Sequence, residues 1–265
     1  MTRNPFHTFD RLGNIAIVKF SKDVRINDKK QFANKLLHDN PSIKTILEKT
    51  RKFKGRLRKQ ETSWIAGEKT KEALYKENNC IFRLNVDSSY FSPRLSNERK
   101  EIAGKIKKND EVLVMFSGVN PYGIVIAKNS KAKKIVSVEI NREATKYAEL
   151  NIELNKVKNR VEVVQGDVKK IVKKFEREKK KFSVIVMPRP QLKESFLKEA
   201  FMLSKKGTTI FYYDFTRISE IDSVVDKIKN EAKKSRKKIK ILKIKKAGEI
   251  APYKFRVRVD FKILN

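Results

Sequence analysis

The chain is poor in the residues that build metal sites and disulfides. Of 265 residues one is cysteine, Cys80, and two are histidines, His7 and His38. A single thiol excludes a disulfide framework and a multi-thiolate metal centre, and two histidines are too few for an ordinary zinc site; no metal is expected. Long apolar runs are missing as well. None approaches the ~20 residues that span a bilayer, and Met1–Asp10 lacks the charged, apolar and small-residue succession of a secretory signal. The expectation is a cytoplasmic chain with no membrane partner. Acidic residues are scarce, 31 against 64 Lys and Arg, and only four glutamines occur. Apolar residues make up 39%, enough for a core, which excludes a disordered basic tail.

The charge imbalance is the first functional indication. A net charge of +33 attracts polyanions at long range, and nucleic acid is the usual one, because Lys and Arg release counterions from its phosphates. A heat-adapted surface also explains abundant Lys, Glu and Ile, but predicts signs in balance.

Length and pattern predict two domains. Residues 1–88 are expected to form a small α+β RNA-binding module. In it Asn14–Phe20 reads as a strand, Asp28–Asp39 as a helix, and Ser42–Lys49 as a second short helix capped by Ser42. Lys49–Lys59 is a basic stretch whose Phe53, Gly55 and Leu57 suggest a strand or turn displaying Arg56 and Arg58. Ser63–Glu68 and Ile81–Val86 alternate like strands, Trp64 reads as core, and Cys80 as buried and inert. Residues 89–265 follow after a junction at Tyr90–Lys105, where Asn97 is a candidate helix cap. Strands are expected at Glu111–Phe116, Lys134–Glu139, Val161–Gln165, Phe182–Met187 and Thr208–Tyr213. Helices are expected near Gly123–Asn129, Arg142–Asn155, Val168–Glu178 and Lys193–Leu203. The helix Ile218–Lys233 and strands Lys238–Lys246 and Tyr253–Leu264 close the chain. This is an α/β doubly wound, Rossmann-like sheet with an antiparallel edge.

Three features at expected strand ends point to a nucleoside cofactor. The loop Phe116–Gly123 (FSGVNPYG) follows the first strand of this region, where small residues let backbone approach a ligand. Glu139 ends the second strand, where a carboxylate accepts from both ribose hydroxyls. Asp167 follows the third, where a carboxylate accepts from an adenine amino group; it also suits a helix cap. The Gly-x-Gly-x-x-Gly of a dinucleotide site is incomplete, no lysine-containing phosphate loop exists, and the closing hairpin suits methyltransferases. S-adenosyl-L-methionine is therefore the expected cofactor. Tyr122, Tyr212, Tyr213 and Phe215 are candidates to stack an extruded base, although core packing suits all but Tyr213 better.

Across nearly the whole chain the sequence resembles the archaeal and eukaryotic tRNA (guanine-37, N1)-methyltransferases and their wyosine-pathway relatives. The resemblance rests on Gly55-Arg56-Leu57-Arg58, on Ser89-Tyr90-Phe91-Ser92-Pro93-Arg94-Leu95, on Asn97-Glu98-Arg99, and on MFSGVNPYGI, VEINREATKYAELNIELNKV and GDV. It implies a class I methyltransferase domain that uses S-adenosyl-L-methionine on the anticodon stem-loop of tRNA, as a monomer. Fuller members carry a further N-terminal domain that grips the outer corner of tRNA, which this chain is expected to lack. By the same resemblance Arg58 contacts the target base, Glu98 accepts its proton, and Tyr90 lines the catalytic site. Arg99, Phe116, Glu139, Asp167, Val168 and Met187 fall at cofactor-binding positions. The implied product is N1-methylguanosine at position 37, with C7 methylation of 4-demethylwyosine as a second activity. A non-catalytic tRNA-binding protein and an aminocarboxypropyl transferase are the alternatives. Departures from the family pattern are Val114 for Asp, Asn120 for Gly, and Met187-Pro188-Arg189-Pro190 where an Asn-x-Pro element is usual.

Overall fold

In a computed structural model the described residues are 9–55 and 57–265, without the side chains of residues 52–54. Arg56 and His7 thus lie outside them. The chain divides into two compact units between Pro93 and Arg94.

The first unit is built on a four-stranded sheet. Strands β1 (Asp10–Leu12), β2 (Ile15–Val18), β3 (Thr45–Lys54) and β4 (Lys59–Gly67) lie in that order, with helix α1 (Ile26–Asp39) between β2 and β3. β2 and β3 are parallel, and the other pairs antiparallel. α1 buries Ala33 and Leu36 against Ala16, Val18, Ile43, Ile46 and Ile65. A separate hairpin joins β5 (Glu72–Glu77) to β6 (Cys80–Asn85).

Two sequence expectations fail here for identifiable reasons. Ser42–Lys49 is not a helix. Ile43 and Leu47 have helical spacing, but residues 45–54 pair with β2 and β4 as a strand, and with Thr45, Ile46 and Leu47 consecutively buried its start shows no polar alternation. Trp64 is not core: it is 42% exposed, with Nε1 donating to the Glu68 carbonyl at 3.2 Å. A register shift opposite Ile46 and Leu47 inserts an extra residue, reverses the alternation, and places Ile65 and Ala66 inside instead. Cys80 is buried, its thiol donating to the Asn78 carbonyl at 3.4 Å.

The second unit opens with α2 (Ser96–Lys105). It continues through β7 (Glu111–Met115), α3 (Pro121–Asn129), β8 (Lys134–Glu139), α4 (Arg142–Leu154), β9 (Val161–Gln165), α5 (Val168–Arg177), β10 (Phe182–Met187) and α6 (Leu197–Met202). It closes with β11 (Ser204–Arg217), α7 (Ile221–Lys234), β12 (Ile239–Ala251) and β13 (Lys254–Ile263). The sheet runs β12-β13-β11-β10-β7-β8-β9. β7 to β11 are parallel, and β13 is antiparallel between β11 and β12. Helices α2, α3 and α4 pack as one layer and α5, α6 and α7 as the other. α3 buries every residue from Pro121 to Ala127, which accounts for its unbroken apolar run.

α2 begins at Ser96 without a side-chain cap, so Asn97 lies inside the helix rather than before it. The helix expected at Lys193–Leu203 is only Leu197–Met202; Phe196 takes a left-handed conformation before it. The β7–β8–β9 progression runs one way and β10–β11 the other, so the order reverses between β7 and β10. The loops diverge at the carboxyl ends of those two strands, where open α/β sheets hold ligands.

Gly67 has φ +81, and a Cβ there would lie 2.1 Å from the Lys44 carbonyl oxygen. Gly67→Ala is expected to destabilise the protein by about 3 kcal/mol, as a lowered midpoint in denaturant titration.

Candidate active site

The loop after β7 is shaped by alternation. Phe116, Gly118 and Asn120 all have left-handed backbone, at φ 59, 58 and 63. Asn120 stands where the family pattern has glycine, yet the conformation is the glycine one, which asparagine tolerates better than most residues. Its side chain is fully buried, and Oδ1 accepts from Ser137 Oγ at 2.9 Å. Gly123, one turn on, leaves room: a Cβ there would stand 2.3 Å from that Oδ1. Phe116 packs edge-on to Phe196, with centroids 4.9 Å apart.

Glu139 joins this loop to the end of β8. Oε2 accepts from the Gly118 amide at 2.7 Å and Oε1 from the Asn141 amide at 2.8 Å. The carboxylate is 8% exposed. Burial pushes its pKa above the ordinary value, against the pull of these amides. Asp167 serves as the cap of α5, Oδ1 accepting from the Lys169 amide at 2.8 Å, and Val168 is buried behind it. Met187 ends β10 with its side chain wholly in the hydrophobic core, so the residue does not present that side chain at the strand end. The following Arg189 is 3% exposed. Its guanidinium donates to the Leu192 and Glu194 carbonyls at 3.0 and 3.1 Å and to Asp214 at 2.5 Å.

These residues fit a nucleoside. Ser117 Oγ and Asn120 Nδ2 are buried in the loop without a hydrogen-bond partner among the described residues, and Glu139 is an acceptor held in place by backbone alone.

Glu98 and Arg99 are not exposed charges at a helix start. Both are buried, at 4% and 1%. Glu98 Oε2 accepts from Arg258 Nη1 at 2.5 Å and from the Tyr213 hydroxyl at 3.1 Å, and Oε1 accepts from Lys245 Nζ at 2.5 Å. Arg258 also donates to Glu101 at 2.5 Å and to Asp260 at 2.7 Å. Lys245 reaches Glu101 too, and Lys105 reaches Asp260 at 2.6 Å. With Lys243 3.5 Å from Glu101, three carboxylates thus face four cations. Hydrogen bonding to Arg258 holds Glu101 well below the usual carboxylate range, overcoming partial burial. Tyr122 donates to Tyr213 at 3.1 Å. Burial raises both phenols, so they remain hydroxyl donors. Tyr213 is therefore wholly buried and bound to Glu98, not available for stacking; Tyr122 and Tyr212 are buried as well. Arg99 lies with its guanidinium 5.9 Å from the Tyr122 ring centroid.

Local sequence does not pair Glu98 with Arg258, Lys245 and Tyr213. The signal was present: Arg258 and Asp260 alternate with Val257, Val259 and Phe261 in an apolar strand, which implies charges paired on a covered face.

In the first unit, Arg58 (φ 53) sits in a turn where its amide donates to the Gly55 carbonyl at 3.2 Å. Its guanidinium carbon lies 4.7 Å from the centroid of the Tyr90 ring.

A doubly wound sheet with this closing hairpin, a nucleoside-shaped loop and an acid at the end of its second parallel strand defines a class I methyltransferase. The pattern of the TRM5/TYW2 methyltransferase domain matches residues 73–242, and the chain belongs to that family. It is 34% identical to the tRNA (guanine(37)-N(1))/4-demethylwyosine(37)-methyltransferase Taw22 of Nanoarchaeum equitans, over 97% of this chain and all of that protein. Wild-type Trm5b from Pyrococcus abyssi superposes with a TM-score of 0.84 at 30% identity, over 97% of this chain and 75% of that one. The complex of aTrm5 with tRNALeu gives 0.84 at 27%, over 97% and 72%.

Three outcomes are expected. Glu139→Ala removes one or two charge-assisted hydrogen bonds, each worth about 1.5–3 kcal/mol, and calorimetry should show S-adenosylmethionine affinity falling accordingly. In the wild type the same affinity should decline on acidification at a pH above the ordinary glutamate range, because the raised carboxyl takes up its proton early. Arg258→Met leaves buried carboxylates uncompensated and should cost about 3–5 kcal/mol of stability, read by chemical denaturation.

Proposed function

We propose that the protein is an S-adenosylmethionine-dependent tRNA methyltransferase that forms N1-methylguanosine at position 37. The observation that carries this reading is Glu98, a buried carboxylate fixed by Arg258, Lys245 and Tyr213 on the motif position where the family places its proton acceptor. The relatives support the substrate: Taw22 and Trm5b are named for guanine 37, and aTrm5 is complexed with tRNALeu.

Glu139 holds the ribose, Asp167 and Val168 border the base of the nucleoside, and Phe116 and Arg99 line the remainder of the cofactor site. The cofactor supplies an electrophilic methyl group on a sulfonium. Guanine N1 carries a proton that must leave as the methyl arrives, and Glu98 takes it. Negative charge shifts toward O6, and Arg58, braced on the Tyr90 ring, stabilises it there.

A second activity, C7 methylation of 4-demethylwyosine, is favoured by one observation: Taw22, matched over its whole length, is named for both reactions. The non-catalytic and aminocarboxypropyl alternatives are not favoured, since the relatives are named as methyltransferases.

Mass spectrometry of nucleosides from tRNA incubated with methyl-labelled cofactor tests the reading. N1-methylguanosine from tRNA bearing guanosine 37 is the expected product, and no labelled nucleoside at position 37 would refute the assignment. Glu98→Gln should slow single-turnover transfer by about 100-fold or more. Because removal of a buried charge also perturbs stability, the comparison is made below the variant's melting temperature. Arg58→Ala should slow the same step with a smaller loss of RNA affinity. A wild-type rate for Glu98→Gln would remove Glu98 from the proton transfer.

A further inference from the structure

The closing strands are longer than the sheet they complete. β10 ends at Met187, which pairs with Tyr212 of β11. From Tyr213 to Arg217, β11 continues with β13 alone as its partner, Tyr213 opposite Arg258, Phe215 opposite Arg256 and Arg217 opposite Lys254. Five residues at about 3.4 Å each carry this ribbon roughly 17 Å beyond the carboxyl end of the parallel strands. That is the end at which the Phe116–Gly123 loop and Glu139 lie.

Directly opposed residues in an antiparallel pair share a face, so each of these pairs sits side by side. The first pair, Tyr213 and Arg258, holds Glu98. The next is a stacked cation and ring, the Arg256 guanidinium carbon 5.1 Å from the Phe215 centroid. The last pair is Arg217 and Lys254. Beyond it, at the hairpin tip, Tyr253 is 79% exposed. Among the described residues no carboxylate stands within ion-pairing distance of Arg217, Lys254 or Arg256, although ion pairs neutralise Lys245 and Arg258 on the same face. One face of the ribbon thus grades from a paired ionic cluster at Glu98 to uncompensated cations interleaved with rings.

We propose that this face, from Arg256 through Arg217 and Lys254 to Tyr253, is a track for single-stranded RNA that carries the substrate strand to Glu98. It rests on the reading of the protein as a tRNA methyltransferase, and deepens it by placing the strand. The three cations take phosphates, and Tyr253 offers a π-face to a base next along the chain. Cations along a groove with rings between them are what unpaired strands require, because each base can stack in any sequence. The paired inner end repels no incoming base, while the unpaired outer end supplies the attraction. A duplex would use the cations but leave Tyr253 without a partner.

The test is equilibrium binding of unmodified tRNA bearing guanosine 37, followed across salt concentrations. The variants are Arg217→Ala/Lys254→Ala and Tyr253→Ala, with Lys173→Ala/Arg177→Ala on α5, in the opposite helix layer, as a control of equal charge. Loss of two phosphate contacts should make the slope of log affinity against log salt shallower by about 1.4, with affinity about tenfold weaker at 0.1 M salt. Tyr253→Ala should weaken binding about tenfold with the slope unchanged, the signature of stacking. The altered residues lie at the surface, and melting curves verify that each variant folds. Wild-type affinity and slope in both ribbon variants would overturn the proposal, as would an equal change of slope in the α5 control. Wild-type methylation of guanosine 37 is measured alongside: its absence would instead undo the functional reading, leaving the binding result to stand for the ribbon alone.

Discussion

The second unit depends on one buried cation. Arg258 has no exposed surface, and its guanidinium contacts Glu98, Glu101 and Asp260 at once. Removing a single ion of this size from water costs several kcal/mol even after relaxation, so the arrangement is stable only as a set. The geometry follows: α2 must bring Glu98 and Glu101 to one side, and β13 must carry Asp260 two residues from Arg258 on the same face. Helix α2 is polar along its length and would make a poor core helix by itself. Its place against the sheet is fixed by ionic contacts more than by an apolar stripe, and the orientation of Glu98 is a product of that docking.

A second buried cluster grips β11 from its other face. Asp214 accepts from Arg189, from Lys227 on α7 and from the Tyr212 hydroxyl, while the adjacent Tyr213 belongs to the Glu98 cluster. Consecutive residues of one strand thus anchor two networks on opposite sides. Arg189 is the link to the segment after β10, where prolines at 188 and 190 remove two backbone donors and the guanidinium gathers carbonyls that would otherwise lack partners. The departure from the family's Asn-x-Pro pattern is therefore an organised structure and not a loosened one. Asn120 is a similar case: the substitution for glycine keeps the left-handed backbone, and Gly123 is the compensating small residue.

Much of this was legible in sequence. The doubly wound sheet follows from alternating strand and helix patterns, and Glu139 and Asp167 stand where strand ends demanded acceptors. What was not legible depended on distant pairing. Ser42–Lys49 carried a helical period that two flanking strands overruled. Trp64 obeyed an alternation that a bulge reversed. The burial of Glu98 could not be read from its neighbours in sequence, because its charged partners Lys245 and Arg258 lie far along the chain, on β12 and β13. Only the alternation of Arg258 and Asp260 with apolar residues hinted at them, and an alternation of that kind names no partner. Asp167 shows the converse difficulty: one carboxylate satisfies both a helix cap and a ligand position, so the residue type could not separate the two uses.

The scarcity of acids has a consequence for how the chain can vary. With 64 basic residues and 31 acidic ones, cations outnumber acids about two to one, so many surface cations have no acid to pair with. Glu98, Glu101, Asp214 and Asp260 are not free to vary, because each neutralises at least one cation that the fold has drawn inward. Divergence in this protein is therefore unevenly constrained: one surface cation can replace another without disturbing the fold, while a handful of carboxylates can change only together with the cations they hold.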